Sequence, residues 1–301
     1  MPELPEVHTT ATILNKLIKG RTIKFVWSDY NSAYYKGKAT IKDPAYFAKF
    51  KKAVTGKKVS RVWRRAKNVL VDIEGDKTIL VHMKMTGHLL YGAYSYSEKR
   101  DWKWFSEEKH LNDPFNRFVH LVFELDNGKH VAFSDMRKFA TVKLINDKEA
   151  LAKEFAQTGP EPLDPKFDWH ELKRVVLQKP NGKIKTVLMD VGIVAGIGNI
   201  YSDEILWNTK IHPERKVSKI SDSEFKSILK FTKQLLSKGI DFGGDSMSDY
   251  RNPYGMKGKF QAHHQVYQRK NEKCLRRGCG GVIKRIVVGS RSSHFCPVCQ
   301  K

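Results

Sequence analysis

The sequence predicts an α+β fold with an N-terminal β-sandwich domain, a helical second domain and a small C-terminal module that carries four cysteines. Three observations support this prediction. Short β-branched and aromatic runs fill residues 22–146, helical periodicity continues from 167 to about 240, and every cysteine lies after residue 273. Because 301 residues exceed what one hydrophobic core usually serves, separate domains are expected.

The predicted first domain covers residues 1–146. Its start, 3–19, is predicted to be a helix because apolar residues recur there at helical spacing: Val7, Ala11, Leu14 and Leu17. Six strand-like runs follow: TIKFVWS, KVSRVWRRAKNVLVDIEG, TILVHMKMTG, FVHLVFELDNG, KHVAFSD and TVKLI. The DNG at 126–128 is typical of a hairpin turn, and the polar, aromatic residues 93–117 form a long excursion between strands. We expect a sandwich or flattened barrel.

The predicted linker covers 147–166, because QTGPEPLDPK holds three prolines and a glycine. The helical domain is predicted over 167–267, with Ser221 or Asp222 as the N-cap of its last helix. Its periodic segments are FDWHELKRVVLQ, IKTVLMD, GNIYSDEILWNT and DSEFKSILKFTKQLLSKG. The glycine-rich segment GGDSMSDYRNPYGMKGKF then leads to the cysteine module at 268–301.

The charge balance indicates a polyanionic partner. Lysine and arginine number 55 against 32 acidic residues, a formal net charge of +23, which disfavours a compact protein that has no such partner. Nucleic acid is favoured, because neutralised phosphates release counterions. A membrane surface is the rival interpretation, but no run of about 18 apolar residues and no signal peptide is found. We therefore expect an intracellular protein, cytoplasmic or nucleoid-associated if bacterial.

The cysteines have the spacing C-x4-C-x16-C-x2-C, formed by Cys274, Cys279, Cys296 and Cys299. Clustered thiols in a chain without a secretion signal are typical of metal binding rather than of disulfides. Four thiolates suit a tetrahedral Zn²⁺, and a module this small needs a bound metal to fold stably. The alternatives are reduced cysteines, an iron–sulfur cluster, or His263 or His294 as a substitute ligand. A site closed by four cysteines is predicted to be structural.

Two elements of the second half are suited to phosphate. KRIVVGSRSSHF is typical of a β-hairpin, and Arg291 near its tip could bind phosphate oxygens in bidentate geometry, although a lone arginine is more often solvated charge. Gly196 and Gly198 precede a predicted helix from Asn199, whose N-terminus offers backbone donors. The alternative for this turn is ordinary packing of small residues.

Motifs along nearly the whole chain resemble the formamidopyrimidine-DNA glycosylase and endonuclease VIII (Fpg/Nei) family. They are MPELPEV, RRAKNVLVDI, GPEPL, GIGNIYSDEIL, IHPER, QVYQR and the four-cysteine module, in that order. The resemblance implies an N-terminal β-sandwich, a helix-two-turn-helix domain and a zinc finger. It also implies a monomer that acts on double-stranded DNA containing oxidised bases or abasic sites.

The resemblance implies a role for the first residues of the chain. Removal of Met1 would leave the secondary amine of Pro2 as the nucleophile that attacks the sugar C1′. An α-amino group has a pKa near 8, against about 10.4 for lysine, so more of it is neutral at pH 7. Glu3 resembles the general acid, and Glu6 a carboxylate that holds the N-terminus or the damaged base. Lys67 matches a lysine that binds phosphate and assists elimination, although alone it would be interpreted as surface charge.

Further roles are implied in the same way. The phosphate contacts are His82, Lys185, Asn199 and Arg291, of which Arg291 completes the catalytic set. Glu204 sits where an acid supports the N-terminal helix. The gap left by an extruded nucleotide is filled by Met85, Arg137 and Phe139, which repays part of the unstacking cost.

The resemblance also implies which damaged bases the protein removes. The gap-filling residues come from two loops, and GGDSMSDYRNPYGMKGKFQ resembles the loop that closes over an oxidised purine, both as in the Fpg branch. We therefore expect excision of 8-oxoguanine and formamidopyrimidines followed by β,δ-elimination. The alternatives are a Nei-type glycosylase for oxidised pyrimidines and a non-catalytic DNA-binding zinc protein. The chain departs from the family in its C-x4-C pair, in MRKF at 136–139 instead of PRRF, and in the 93–117 segment.

Overall fold

The computed structural model describes residues 1–101, 103–247 and 249–301. Trp102, in the predicted 93–117 excursion, and Ser248, in the glycine-rich segment, lie outside the described residues. No helix within the described ranges is long and apolar enough to cross a bilayer.

The chain divides into two compact units. The first contains Met1–Ala156 together with Gly243–Lys259, and the second contains Gln157–Phe242 together with Phe260–Lys301. The glycine-rich segment therefore belongs with the N-terminal unit, whereas the sequence assigned all of 167–267 to one domain. Its contacts with the N-terminal unit come from residues far away in the sequence, which local periodicity does not reveal.

The first unit is built on strands. Its helices are α1 (Leu4–Ile18), α2 (Pro44–Val54) and α3 (Lys148–Glu154). Its strands are β1 (Ile23–Ser28), β2 (Val59–Arg65), β3 (Asn68–Ile73), β4 (Lys77–His82), β5 (His88–Gly92), β6 (Ser95–Tyr96), β7 (Trp104–Phe105), β8 (Val119–Leu125), β9 (His130–Ser134) and β10 (Thr141–Ile145).

Two antiparallel sheets share one core in this unit. Their strand orders are β1-β8-β9-β5 and β10-β4-β3-β2. Apolar side chains from both sheets and from α1 meet in this core, among them Val7, Leu14, Val81, Leu121 and Phe133. The predicted helix and the predicted pair of packed sheets are confirmed, because helical spacing of apolar residues and short runs of β-branched and aromatic residues are strong local signals.

The elements of the first unit that were not predicted include α2, β5 and α3, the last of which lies within the predicted linker 147–166. Helix α2 buries only Phe50 and Val54, so its apolar stripe is too narrow to show in the sequence. It begins after Asp43, whose carboxylate accepts a hydrogen bond from Tyr46 N at 2.7 Å. Strand β5 has only five residues and follows Gly87, so its short apolar run gave no periodic pattern.

The second unit is mostly helical. Its elements are α4 (Trp169–Val176), α5 (Ile184–Leu188), α6 (Asn199–Thr209), α7 (Asp222–Asp241), β11 (Lys284–Val288) and β12 (Arg291–Phe295). Ser221 caps α7 and forms a capping box with Glu224, which confirms one of the two predicted caps. Gly289 and Ser290 both have positive φ and join β11 to β12 in the two-residue turn that suits the twist of a hairpin.

Candidate functional site

The first residues of the chain are buried at the start of α1. The helix begins at Leu4 and carries Pro5 in its first turn, where the missing N–H of proline has no cost. Glu3 N donates to the Glu6 carboxylate at 2.7 Å. Pro2 is buried, Glu3 is 2% exposed and Glu6 is 1% exposed. The segment therefore places two carboxylates out of water within four residues of Pro2.

The environment of Glu6 favours its neutral form. Burial and then the nearby charge of Glu3 raise the pKa of Glu6 to about 7, although hydrogen bonds from the backbone N–H groups of Asp245 and Glu3 lower it. The Asp245 N–H donates to Oε1 of Glu6 at 2.7 Å. This carboxyl group consequently exchanges a proton near neutral pH.

The glycine-rich segment covers the first turn of α1. The Tyr250 hydroxyl donates to the backbone oxygen of Glu6 at 3.0 Å and lies 3.3 Å from the hydroxyl of Thr10. Gly244 has φ +89°, and a Cβ there would lie 2.8 Å from Cγ of Glu6. Only glycine allows this close approach together with this backbone conformation.

Lys67 and His82 both belong to the second sheet, the one at a turn and the other at the end of a strand. Lys67 is half-buried in the turn between β2 and β3, and His82 ends β4 opposite Asn68. Burial, together with the charges of Lys84 and Lys67, lowers the pKa of His82 to about 4. Because Nδ1 of His82 accepts from Lys84 N at 3.0 Å, the neutral ring carries its proton on Nε2. His82 thus offers one neutral N–H donor.

Met85, Arg137 and Phe139 project from two neighbouring loops. Met85 is 37% exposed and Phe139 is 49% exposed, so both apolar side chains reach solvent. The guanidinium of Arg137 lies 4.4 Å from the ring centroid of Phe139. The three side chains are therefore placed close to one another on exposed loops.

Asp135, which the sequence did not single out, ties these two loops together. Its buried carboxylate accepts from the hydroxyls of Thr86 at 2.6 Å and Tyr30 at 3.0 Å. Arg137 N in turn donates to the Thr86 hydroxyl at 3.2 Å. A polar residue directly after the apolar strand β9 could have indicated Asp135, but the residues that Asp135 binds are distant in the sequence.

Asn199 and Arg291 belong to the second unit. Asn199 begins α6 after Gly198, as predicted, and its Oδ1 is buried without a hydrogen-bond partner among the described residues. Arg291 is exposed and begins β12, beside the hairpin turn. Both the helix N-terminus and the arginine are chemically suited to a phosphate group.

Lys185 requires a correction. The sequence predicted a phosphate contact, but the side chain is fully buried, and its ammonium lies 2.6 Å from Asp203 Oδ1 and 2.9 Å from Ser292 O. Asp203 also accepts from the Ser293 hydroxyl and from His294 N, each at 2.8 Å. A charge paired in this way fastens α5 and α6 to the hairpin instead of facing solvent.

Glu204, which was predicted to support α1, lies in α6 of the second unit. Its fully buried carboxylate accepts hydrogen bonds from the backbone N–H groups of Gln265, Val266 and Tyr267, at 2.9 to 3.0 Å. Burial raises the pKa of Glu204, and these three donors oppose that shift. Glu204 therefore holds the chain that leads into the cysteine module.

The four cysteine Sγ atoms lie within 4.8 Å of one another. Cys274 and Cys299 are 3.9 Å apart, and Cys279 and Cys296 are 3.5 Å apart. Tetrahedral zinc with bonds of about 2.3 Å places sulfur atoms about 3.8 Å apart, so the cluster fits the ion. His263 and His294 are outside this group of ligands, and the module holds one structural zinc through its cysteines.

Three family models match successive parts of the chain. The Formamidopyrimidine-DNA glycosylase N-terminal domain matches residues 1–142, the Formamidopyrimidine-DNA glycosylase H2TH domain matches 158–251, and the Zinc finger found in FPG and IleRS matches 271–301.

Similar proteins cover the full length. Proteins named Formamidopyrimidine-DNA glycosylase from Herpetosiphon aurantiacus and Bacillus subtilis are 35% and 36% identical, over 100% of this chain and 100% and 99% of theirs. A Lactococcus lactis Fpg in complex with DNA that contains an abasic site has a TM-score of 0.82 at 32% identity, covering 99% of each chain. MutM in complex with DNA that contains carbocyclic 8-oxo-G has a TM-score of 0.82 at 31% identity, covering 100% of each chain.

Proposed function

The chain belongs to the formamidopyrimidine-DNA glycosylase family, and on that premise we propose that it excises oxidised purines from double-stranded DNA and then cuts the strand at the abasic site. Its similar structures are bound to DNA that carries such lesions. We infer that it works in the compartment that holds the DNA.

The observation that carries the mechanism is the burial of Glu3 and Glu6 beside Pro2. With Met1 removed, the neutral amine of Pro2 attacks C1′ of the damaged nucleotide while the bond to the base breaks. Glu3 supplies the proton that the sugar ring oxygen or the departing base takes up. As the C1′–O4′ bond of the sugar ring breaks, the amine loses its proton and an iminium ion forms. This ion has no proton left on nitrogen, so it persists and withdraws electrons in the eliminations that break the DNA strand. Because the pKa of Glu6 is about 7, part of this group is neutral at pH 7, and it adds less negative charge beside Glu3 than a fully ionised carboxylate would.

The remaining predicted residues act on DNA in this proposal. Lys67 and the neutral His82 contact phosphates from the first unit, and Asn199 and Arg291 contact them from the second. Zinc supplies no chemistry to the reaction; its four ligands hold the hairpin that carries Arg291. Met85, Arg137 and Phe139 occupy the gap that the extruded nucleotide leaves, and Arg137 offers donors to the opposite base.

Borohydride trapping tests the proposal. The protein is mixed with a duplex that contains 8-oxoguanine opposite cytosine and then reduced, and a covalent adduct is expected because the iminium ion is converted to a stable amine. The same duplex with thymine glycol distinguishes the Nei-type alternative, which predicts preferred trapping there. Absence of any adduct from a protein whose mass shows that Met1 has been removed would refute covalent catalysis.

The nucleophile has its own control. Pro2→Gly and a version with an N-terminal tag are both expected to bind the lesion duplex, because the phosphate contacts lie elsewhere, and both should give less adduct. For Pro2→Gly the residual primary amine remains reactive, so the tagged protein is the stricter test. A tagged protein that cuts the duplex at the normal rate would show that Pro2 is not the nucleophile.

A further inference from the structure

We propose that a buried ion pair between Arg251 and Asp113 positions the glycine-rich segment 243–259, here termed the capping segment, for recognition of the damaged base. This inference rests on the proposed function. It assigns a purpose to residues 106–117, here termed the bracing segment, which form the later part of the predicted excursion.

Arg251 and Asp113 form a bidentate ion pair that is largely buried. Nε and Nη2 of Arg251 donate to the two carboxylate oxygens of Asp113, each at 3.0 Å, in the bidentate arrangement that matches guanidinium to carboxylate. The Arg251 side chain is 1% exposed and that of Asp113 is 24% exposed. The guanidinium also lies 5.0 Å from the ring centroid of Phe115, and Nη1 donates to Tyr250 O at 2.9 Å. A charge this deeply buried is costly unless it is paired.

The two segments are joined at further points close to the pair. The buried side chain of Asn116 donates from Nδ2 to Gly255 O at 3.3 Å, and its Oδ1 lies 3.0 Å from Nε2 of His88. Gly255 has φ +77°, and a Cβ there would lie 2.9 Å from Nδ2 of Asn116. Strand β5 adds a bond from Tyr91 N to Pro253 O at 2.8 Å. The later half of the capping segment is therefore fixed to the bracing segment and the sheet.

The earlier half of the capping segment leads to the site. Asp245 N bonds to the Glu6 carboxylate, and Tyr250, whose backbone oxygen accepts from Arg251, bonds through its hydroxyl to Glu6 O. Ser246 links the two halves, since its hydroxyl donates to Tyr250 O and accepts from Gly258 N, each at 2.8 Å. The ion pair therefore reaches Glu6 through a short chain of bonds. Arg251 and Asp113 are positioning residues in this scheme, since they act through Tyr250 and Asp245.

Loss of the ion pair should slow the steps that involve the damaged base and leave the other steps unaffected. A capping segment that is held in place orders the surroundings of the damaged base, but a DNA with a preformed abasic site has no base to recognise. Arg251→Met should therefore slow single-turnover release of 8-oxoguanine by about tenfold or more and change cleavage of an abasic duplex by less than about twofold. Asp113→Asn, which preserves shape, should shift this ratio of rates in the same direction.

Three controls make the test decisive. Lys257→Met removes a positive charge from an exposed position of the same segment and should leave the ratio unchanged. Arg251→Lys should recover part of the base-release rate. The double variant Arg251→Met with Asp113→Asn should be no slower than Arg251→Met alone, because the pair is already broken. Equal slowing of both reactions, or of neither, would overturn the positioning role. A wild-type protein inactive on both duplexes would instead contradict the proposed function.

Discussion

Buried carboxylates are used in opposite ways in the two units. In the first, Glu6 is buried near Glu3 and Asp245, and the charges of both neighbours add to the effect of burial in raising its pKa to about 7. In the second, Asp203 forms an ion pair with the buried ammonium of Lys185, and Glu204 accepts hydrogen bonds from three backbone N–H groups. Burial is nearly complete in all of them, so the difference lies in the partners.

This difference separates a reactive group from a structural one. Burial and then the like charges of its neighbours raise the pKa of Glu6 to about 7, so this group gains or loses a proton at small cost near neutral pH. A cation or several fixed donors instead hold a carboxylate in one place, as at Asp203 and Glu204. We expect substitutions in the first unit to change rates more than stability, and those in the second to do the reverse.

Removal of zinc is expected to have the largest effect. Structural zinc sites bind with about 10 kcal/mol or more, and that free energy is part of the folding free energy of a small module. A strong chelator should therefore unfold the cysteine module and abolish binding to the lesion duplex, measured by fluorescence anisotropy alongside metal content. Reconstitution with Co²⁺ should restore binding and give the absorption of a four-thiolate tetrahedral site. Full DNA binding in a zinc-free sample would contradict this prediction.

Breaking the buried pair of the second unit should come next. Lys185→Met leaves Asp203 buried without its cation, and the free energy of unfolding should fall by about 3–5 kcal/mol, measured by chemical denaturation. The matched control is Lys183→Met, which removes an exposed pair with Glu214 and should cost less than about 1 kcal/mol. If Lys185→Met were as stable as the control but bound DNA more weakly, Lys185 would act as a phosphate contact and not as a structural ion pair.

In the first unit, Glu3→Gln should affect rate more than stability. The amide keeps the shape of the side chain but has no proton to give to the leaving group, so base release should slow about 100-fold in single-turnover assays. Glu149→Gln, an exposed acid in the same unit, serves as the control and should leave the rate unchanged. An unaltered rate in Glu3→Gln would assign the general acid to another group.

Much of the fold could be predicted because its signals are local. The helical spacing of Val7, Ala11 and Leu14, the β-branched strands and the cysteine spacing each lie within a short stretch, and the structure has each of them where the sequence indicated. The narrow stripe of α2 and the five-residue strand β5 gave too little periodicity to be recognised.

The network of the candidate site could not be predicted, because its bonds join distant positions. Glu6 and Asp245 are 239 residues apart, and Arg251 and Asp113 are 138 apart. The same limit explains Lys185: its motif is easily recognised, but its burial against the hairpin depends on tertiary packing, as do the bonds of Glu204 to residues 265–267. The roles of Pro2, Glu3 and Lys67 stay predictions until they are tested by rate.

The smallest expected effect, and the most direct test of the contrast between the units, is the pH dependence that Glu6 contributes. Because its pKa rises from 4.5 in the unfolded chain to about 7 in the folded one, the folded protein binds more protons between these values, and this group makes stability fall as pH rises from 5 to 8. The side chain in Glu6→Gln cannot titrate, so the free energy of unfolding of this variant should fall by about 1–3 kcal/mol less than that of wild type over this interval.

His82, whose lowered pKa acts in the opposite direction, is common to both proteins and cancels in the difference. Glu204→Gln, measured by the same denaturation series, should change the pH dependence in the same direction, because burial raises the pKa of Glu204 as well. Equal pH dependence in wild type and Glu6→Gln would mean that Glu6 stays ionised and that the two units use their buried acids alike.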